Sequence, residues 1–275
     1  MRVVTDLVAA LDGDEEDAEP IPEQDVPPPQ EVLLRALAAA PPTVDPPPDE
    51  LMNAPGELTR FSGRAPHVSA LALRRGLTAG LVTRCRAEGA SVHAALCAAA
   101  CTVFHRAGRP RVRVLSPVDL RRATGLPDAV ANRFAGARTA SGASQAEDFW
   151  GLARHHHKAL ARLRTPQVLK TGSEALAQQP PATPEEAEAM MTVATAADIQ
   201  ITNPGVVQTP AHDRGCLTAL WGPAQTTRLR GGHVLGVATH GGRLRMTELD
   251  PVAVLLPDMV AVLARQCAEP DPPSS

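Results

Sequence analysis

An alanine-rich segment without charge limits how this chain can fold more than any other feature. Residues 92–104 read VHAALCAAACTVF and include no Asp, Glu, Lys or Arg. Ser91 is placed to cap the first turn of a helix, and Gly108 to end it. Because alanine side chains are short, we expect this helix to pack closely against a sheet.

Helix and strand patterns alternate on both sides of this segment. Residues 77–89 predict another helix, with Thr78 as a possible N-cap and Gly89 at its end. Further helices are predicted at 31–39, 146–163, 183–191 and 250–268, the last with Pro251 near its first turn. Alternating apolar residues predict strands at 67–73, 111–120, 131–140 and 198–205, and a hairpin over 233–249 around Gly241 and Gly242. This order predicts an α/β (α+β two-layer) lobe with a mixed sheet and flanking helices.

The chain divides into three parts. Residues 1–60 hold an amphipathic helix at Met1–Leu11 and a Pro-rich, acidic linker that cannot bury enough apolar surface to fold alone. Residues 61–268 form the compact lobe, and we expect 269–275 to be a disordered tail. A helix that begins at Met1 without a cap predicts that the N-terminal lobe is incomplete and that a segment upstream is missing.

Composition argues against several classes of partner. The net charge is −3, aromatic residues make up 2% and tyrosine is absent, so we expect no nucleic-acid partner. No apolar run reaches the roughly 18 residues of a membrane span, and no signal peptide is present. The five cysteines form no C-x-x-C pair, which favours a reduced, cytoplasmic setting.

Histidines are the obvious chemical candidates. His155, His156 and His157 are consecutive, and neighbours on a helix point about 100° apart, so we predict a solvated, partly buried helix face and no metal site. A metal protein built on these three remains an alternative. His93 is interpreted as a satisfied core or cap-adjacent histidine, and His212 as part of a turn. These residues alone give no nucleophile–base pair, and no G-x-S-x-G, Walker or G-x-G-x-x-G motif occurs.

Several segments, in this order, resemble condensation-domain acyltransferases. The helix pair over 77–108 is similar to that family's two-helix segment, and VRVLSPVDLR (112–121) to its strand and PVDLR turn. ANRFAGA (131–137) and DIQITNPG (198–205) are similar to its N-x-x-G strand and SNLG-type turn. The resemblance covers roughly residues 60–275 and is closest to polyketide-associated alcohol acyltransferases such as the phthiocerol dimycocerosyl transferases.

The resemblance implies a chloramphenicol-acetyltransferase-like fold of two lobes with the active site in the channel between them. The family's HHxxxDG motif lies in the N-terminal lobe, and its second His takes the proton from an acceptor as that acceptor attacks an acyl thioester. The motif is absent here, because Ala161 and Arg162 stand where His156-His157 would require Asp and Gly. Met1–Leu11 is similar to the helix that follows the motif, so we expect the motif upstream of Met1.

The resemblance also implies roles for residues of the C-terminal lobe, although no catalytic set is complete. Asp119 and Arg121 match the PVDLR turn, and Arg121 would polarise a thioester carbonyl or hold a phosphopantetheine arm. A buried structural salt link between the two is the alternative. Ser116, Thr202 and Asn203 would line the substrate channel, with simple turn chemistry as the alternative for Asn203.

Two segments depart from the family pattern. Pro204 replaces the usual Leu of the SNLG-type turn. TTRLRGG (226–232) occupies the approximate place of a DFGWG-like segment, which is not recognisable.

The leading hypothesis is the C-terminal part of an acyltransferase that is inactive alone. No bound cofactor is expected, because acyl-CoA or a phosphopantetheine-linked acyl thioester would be the co-substrate. The expected partners are acyl-CoA or an acyl carrier protein. The second hypothesis is a non-catalytic partner subunit of the same fold that pairs with a separate N-terminal lobe or with itself.

Overall fold

A computed structural model describes residues 28–37, 54–59, 63, 67–125, 132–178, 180–208, 217–227, 229–249 and 255–268. The predicted helix at Met1–Leu11, the turn at His212, the position of Pro251 and the C-terminal tail lie outside the described residues.

Seven α-helices and six strands are described. The helices are α1 (Gln30–Arg35), α2 (Arg75–Ala87), α3 (Val92–Arg106), α4 (Phe149–Leu163), α5 (Pro166–Gln178), α6 (Pro184–Ala194) and α7 (Leu255–Cys267). The strands are β1 (Val68–Ala72), β2 (Arg111–Asp119), β3 (Phe134–Gly142), β4 (Ile199–Thr202), β5 (His233–His240) and β6 (Arg243–Leu249).

All six strands form one mixed sheet in the order β1-β6-β5-β4-β2-β3. Strand β4 is parallel to both of its neighbours, β2 and β5, whereas the remaining pairs are antiparallel. Helices α2, α3, α4 and α7 contact strands or one another in a single layer. The predicted α/β lobe with a mixed sheet and flanking helices is confirmed.

Helix α3 lies at the centre of the helical layer. It packs against α2, α4, α7 and β2, and its residues Ala94–Cys101 are inaccessible to solvent. The predicted cap is confirmed, because the Ser91 hydroxyl accepts a hydrogen bond from the backbone N–H of Ala94 at 3.2 Å. The short side chains let the neighbouring elements approach closely, as the alanine content predicts.

The predicted N-cap Thr78 is wrong. Helix α2 begins at Arg75 after Arg74, so Thr78 lies inside its first turn. The Thr78 hydroxyl donates to the Arg74 carbonyl and accepts from the backbone N–H of Leu244, both at 3.2 Å. A bond to the neighbouring strand β6, which the local pattern could not reveal, explains why this threonine is buried. Gly89 ends the helix as predicted, with a φ of 63°.

The two faces of the sheet have different coverings. Alternate β2 residues, Val112, Val114, Ser116 and Val118, are buried beneath the helices. On the opposite face, called the open face here, no long helix covers the centre among the described residues. Short segments lie there instead: Arg113 donates to the Ala54 carbonyl at 2.7 Å, and the Thr247 hydroxyl donates to the Gly222 carbonyl at 3.0 Å.

Among the described residues, no single helix has both the length and the apolar character needed to cross a membrane. Only α2 and α3 taken together, with a bend of 100° between them, reach those limits by length and composition.

The closest backbone approach on the open face involves two glycines. A Cβ on Gly236 would collide with the backbone of Pro223, and one on Gly222 with the backbone of Gly236. We expect Gly236→Ala to lower the free energy of unfolding by about 1–3 kcal/mol, because backbone must move. Gly172→Ala, in α5 with nothing within 4 Å, is the control and should stabilise by about 0.5–1 kcal/mol. Urea unfolding of both variants measures the difference, and equal effects would contradict it.

Candidate functional site

Four of the five predicted site residues, Asp119, Arg121, Thr202 and Asn203, lie near one edge of the sheet. Strands β2 and β4 run parallel, with Val114 opposite Ile199 and Leu115 opposite Gln200. Their carboxyl ends therefore reach the same edge, called the carboxyl edge here. Asp119 is the last residue of β2 at that edge and Arg121 follows it, and Asn203 follows β4. The sequence thus identified residues that the fold brings to one place, although their roles in a channel stay predictions.

Asp119 and Arg121 form a local ion pair. The Arg121 Nη1 lies 2.9 Å from Asp119 Oδ1, which also accepts the Arg121 backbone N–H at 3.0 Å. The side chain of Arg121 is 33% exposed and that of Asp119 is 60% exposed, so the pair is not the buried salt link weighed as an alternative. An exposed pair of this kind adds little stability. It does hold the Arg121 side chain beside the turn, within reach of an anionic or carbonyl ligand.

Asn203 shapes the turn that follows β4. Its Oδ1 accepts the backbone N–H of Gly205 at 2.9 Å, and Gly205 has a φ of 85° that suits glycine. The turn is fixed to the end of β5, because Thr239 donates its N–H to the Gly205 carbonyl at 3.0 Å. The Asn203 side-chain oxygen therefore stabilises the turn, which is the role given above as the alternative to lining a channel. A hydrogen bond from Asn203 across a channel stays a prediction.

His240 ties this turn to the segment 217–227. Its Nδ1 lies 3.1 Å from the Val207 carbonyl oxygen, and its Nε2 lies 2.8 Å from that of Leu217. Arg245 reinforces the junction by donating to the His240 and Thr218 carbonyls. The loop after β4 and the segment before β5 are thus held on the open face by side chains of the β5–β6 hairpin.

A polar groove lies on the open face near the amino ends of β4 and β5, and Gln200 of its lining is hydrogen-bonded to Thr202. Gln200 Nε2 donates to Thr202 Oγ1 at 3.3 Å and to Gln225 Oε1 at 3.2 Å. The groove encloses about 240 Å³ and includes Thr226, Thr227, Leu58 and Leu229 in its lining. Amides, hydroxyls and two leucines suit a neutral ligand with both polar and apolar parts. Of the predicted channel residues, Thr202 is the one that connects to this groove.

Ser116 faces the other way. It is only 2% exposed, and its hydroxyl lies beneath the helices, 2.8 Å from Nε2 of His93. The side chain therefore does not line the open face, which differs from the predicted channel position. The residues were expected to give no nucleophile–base pair, yet a serine and a histidine come within hydrogen-bond distance. The satisfied histidine predicted at position 93 is confirmed, with Ser116 as its partner.

His93 belongs to a buried row of polar side chains. His93, Cys97, Cys101 and His105 recur every four residues along α3 and so share one face of that helix. We call these four, with the side chains that they meet, the polar seam. His105 Nε2 lies 3.0 Å from the Ser141 hydroxyl, and Cys101 Sγ lies 3.5 Å from His156 Nε2.

Burial sets the protonation of the polar seam. It lowers the pKa of His93 to about 4, with a further contribution from Arg164, and lowers that of His156 to about 3. Burial also raises the pKa of the Cys97 and Cys101 thiols, so both are protonated at neutral pH. His93, His156 and both thiols are therefore neutral at pH 7, and neither thiol is an activated nucleophile.

The three consecutive histidines point in different directions, as predicted. His155 is exposed and its Nε2 donates to the Ala140 carbonyl at 3.1 Å. His156 is fully buried, with Nδ1 2.8 Å from the Thr139 hydroxyl. This part of the helix face was expected to be solvated, and it is not. His157 has a buried Nδ1 without a hydrogen-bond partner. Within the described ranges, no three His, Cys, Asp or Glu side chains could hold a metal ion.

Sequence reasoning missed a pair at the opposite edge of the sheet. His233 Nδ1 lies 3.0 Å from Oε1 of Glu248, whose side chain is 1% exposed. The ring of His233 also contacts that of Phe104, with centroids 5.1 Å apart. A glutamate at an inward position of an alternating strand was the available signal, since buried carboxylates need partners.

Comparison with solved structures identifies the fold. Polyketide synthase associated protein 5 from Mycobacterium tuberculosis aligns with a TM-score of 0.58 and 19% identity over 96% of this chain and 66% of that one. The epimerization domain from the third module of tyrocidine synthetase B aligns with a TM-score of 0.56 and 12% identity over 96% and 62%. This chain has the condensation-type acyltransferase fold.

A third similar structure concerns condensation domain-mediated chain release from the enacyloxin polyketide synthase. It aligns with a TM-score of 0.54 and 16% identity, over 82% of this chain and 47% of that one. The chain thus spans less than two thirds of the length of these relatives. No protein-family profile matches the chain. No curated protein matches it by sequence either.

The polar seam predicts how stability depends on pH. The folded-state pKa values of His93 and His156, about 4 and 3, lie below the ordinary value of 6.5, so the unfolded chain binds more protons in acid. We expect the free energy of unfolding to be level above about pH 6.5. It should fall as the pH drops toward 4, by at most about 1.4 kcal/mol per pH unit for each histidine.

Urea unfolding between pH 4 and 8 tests this dependence. His156→Gln should reduce the slope, whereas His67→Gln, at an exposed position, should leave it unchanged. Equal slopes in the wild type and the His156→Gln variant would contradict the assignment.

Proposed function

We propose that this chain supplies one wall of an acyl-transfer channel. The acyl group would move from a CoA or carrier-protein thioester to a hydroxyl or amine. The observation that supports this most is the carboxyl edge, where Arg121 and Asn203 follow parallel neighbouring strands within a condensation-type acyltransferase fold. A polar groove on the open face, toward the amino ends of β4 and β5, is linked to that edge by the hydrogen bond from Gln200 to Thr202.

The proposed reaction requires a base that the carboxyl edge lacks. The acceptor oxygen or nitrogen attacks the thioester carbonyl, the carbon–sulfur bond breaks, and the acceptor proton ends on the departing thiolate. The sequence contains no HHxxxDG. Among the described histidines, His93 and His156 are buried and bonded beneath the helices. His233 lines the groove, but it lies at the amino end of β5, away from the carboxyl edge, with its Nδ1 3.0 Å from Glu248. We therefore propose that the 275-residue chain alone transfers acyl groups poorly.

Arg121 is the residue proposed to act on the donor. Its guanidinium is one-third exposed, and Asp119 orients it at the edge without burying it. A guanidinium in this position would polarise the thioester carbonyl or pair with the phosphate of a phosphopantetheine arm. A reducing cytoplasm suits the chain, because Cys85, Cys97, Cys101 and Cys267 are free thiols.

Binding of acyl-CoA to the purified chain tests the role of Arg121. We expect Arg121→Ala to raise the Kd about tenfold, which corresponds to about 1.4 kcal/mol. The matched control is Arg106→Ala, which removes the same charge from an exposed position at the C-terminal end of α3. Equal Kd values for the two variants would exclude Arg121 from donor binding.

Release of free thiol from acyl-CoA, followed with hydroxyl and amine acceptors, tests the predicted lack of activity. We expect no transfer above the uncatalysed rate. Robust transfer that Arg121→Ala abolishes would show that the chain contains its own base.

A non-catalytic partner subunit is the second candidate. Large apolar side chains are exposed at Val68 (52%), Phe134 (48%) and Trp221 (42%), as expected of a lobe that meets a mate. Phe134 begins the edge strand β3, next to the carboxyl edge. Val68 lies on β1, at the opposite end of the sheet, so the exposed residues lie on more than one side and Phe134 marks the side next to the carboxyl edge.

Sedimentation at increasing protein concentration tests this second candidate. We expect reversible self-association that Phe134→Ser weakens, whereas Val168→Ser, also at an exposed position, is the control. A monomer at all concentrations, with no complex formed with a separate N-terminal lobe, would remove this candidate.

A further inference from the structure

The polar groove on the open face has the volume of a small-molecule site. It encloses about 240 Å³, which roughly eight water molecules would fill at the density of the liquid. Its lining comes from Leu58 and from the segments 195–200, 225–229 and 232–233. Among the described residues of the lining, none is Asp, Glu, Lys or Arg. We therefore expect a ligand of this groove to be small and uncharged.

The walls of the groove are held in place by the chain itself. Leu58 and Leu229 form an antiparallel bridge, and the Arg230 N–H donates to the Glu57 carbonyl at 2.8 Å. The Thr227 hydroxyl accepts the N–H of Leu229 at 3.1 Å. A site that is already formed loses little conformational entropy when a ligand binds to it.

The charged side chains next to the groove have partners of their own. Arg230 forms an ion pair with Glu57 at 2.8 Å. His233 is the one ionisable side chain in the described lining, and its Nδ1 lies 3.0 Å from Oε1 of the buried Glu248. These contacts leave amides and hydroxyls as the polar groups that select a ligand.

Two glutamines place an open hydrogen-bond acceptor beside an open donor. Gln200 uses both N–H groups of its amide, because Nε2 donates to Thr202 Oγ1 at 3.3 Å and to Gln225 Oε1 at 3.2 Å. Among the described residues, Gln200 Oε1 and Gln225 Nε2 have no hydrogen-bond partner. The bond between the two side chains keeps this acceptor and this donor on adjoining amides within one groove.

The amide of a ligand matches this pair of atoms. Its N–H would donate to Gln200 Oε1, and its carbonyl oxygen would accept from Gln225 Nε2. A carboxylate has no N–H for Gln200, and an ammonium group has no acceptor for Gln225. Three apolar residues of the lining, Leu58, Ala197 and Leu229, suit an aliphatic group attached to the amide.

We propose that the polar groove binds a small, uncharged molecule that carries a carboxamide and an aliphatic group. This binding does not depend on the proposed acyl transfer. The groove lies near the amino ends of β4 and β5, whereas the thioester is proposed to react at the carboxyl edge. A chain that transfers no acyl group would still bind the amide.

An NMR titration of the isotope-labelled full-length chain tests the proposal, with N-acetyl-leucinamide as the probe. This compound is uncharged and carries amides and an isobutyl group. We expect a Kd of about 1 mM, because about a dozen atoms at an ordinary ligand efficiency give that affinity. The chemical-shift changes should occur at Gln225, Thr226 and Thr227, which line the groove. Changes only at Arg121 and Asn203, or no changes, would overturn the proposal.

Two charged analogues test the preference for an uncharged ligand. N-acetyl-leucine has a carboxylate in place of the terminal amide, and leucinamide has an ammonium group in place of the acetylated nitrogen. We expect both to bind about tenfold more weakly than N-acetyl-leucinamide, because each loses an amide and brings a charge into the groove. Equal or tighter binding of either analogue would show that the ligand class is wrong.

The variant Gln225→Glu reverses the hydrogen bonding at one atom of an exposed side chain. Its carboxylate still accepts from Gln200 Nε2, but the open donor becomes a negatively charged acceptor. We expect N-acetyl-leucinamide to bind about tenfold more weakly than to the wild type. Leucinamide should bind about threefold more tightly, because its ammonium group donates to the new carboxylate.

The matched control is Gln178→Glu, which adds the same charge at an exposed position at the end of α5. It should leave the Kd of both compounds as in the wild type. Identical Kd values for the Gln225→Glu and Gln178→Glu variants would remove Gln225 from the binding site and overturn the proposal.

Discussion

The burial of α3 is the constraint on which the rest of the structure depends. Its alanines bring α2, α4, α7 and β2 into contact with one helix, so that a single layer covers the sheet. The same helix aligns His93 with Ser116 near the end of β2, and His105 with Ser141 near the end of β3. The position of α3 therefore fixes both the hydrophobic core and the polar seam, and it leaves the opposite face of the sheet to short segments and the groove.

The division between the two faces also separates two kinds of polar chemistry. Beneath the helices, His93, His156 and the thiols of Cys97 and Cys101 are neutral, and both histidines are hydrogen-bonded to hydroxyls, which makes them structural. An arginine that is one-third exposed lies at the carboxyl edge, and amides and hydroxyls line the groove on the open face. A search for reactive residue types alone selects the first group, whereas exposure and position in the fold select the second.

Local patterns predicted most of the elements. The Ser91 cap, the Asn-Pro-Gly turn after β4 and the hairpin around Gly241 depend on residues close in sequence, and the structure contains all three. Helix α5 was not predicted from the sequence. Its buried Leu169 packs against Leu34 of α1, which is far away in sequence.

The incorrect predictions for Thr78 and Ser116 have the same origin. Thr78 bonds to Leu244 of β6, and Ser116 bonds to His93 of α3. Both partners come from elements whose position follows from the tertiary fold. The four-residue spacing from His93 to His105 was visible in the sequence, but the side chains that complete the seam come from β2, β3 and α4. Periodicity identifies one face of a helix, and only the assembled fold shows what meets it.

The short central strand β4 has a consequence for how the chain folds. Four residues, Ile199–Thr202, provide the hydrogen bonds that join the β2–β3 pair to the β5–β6 pair. Each of those antiparallel pairs joins strands that follow one another along the chain, whereas β4 reaches β2 only after three intervening helices. Contacts between strands distant in sequence close large loops and form slowly. The two halves of the sheet can thus form before they are joined, and the carboxyl edge is assembled when β4 enters between them.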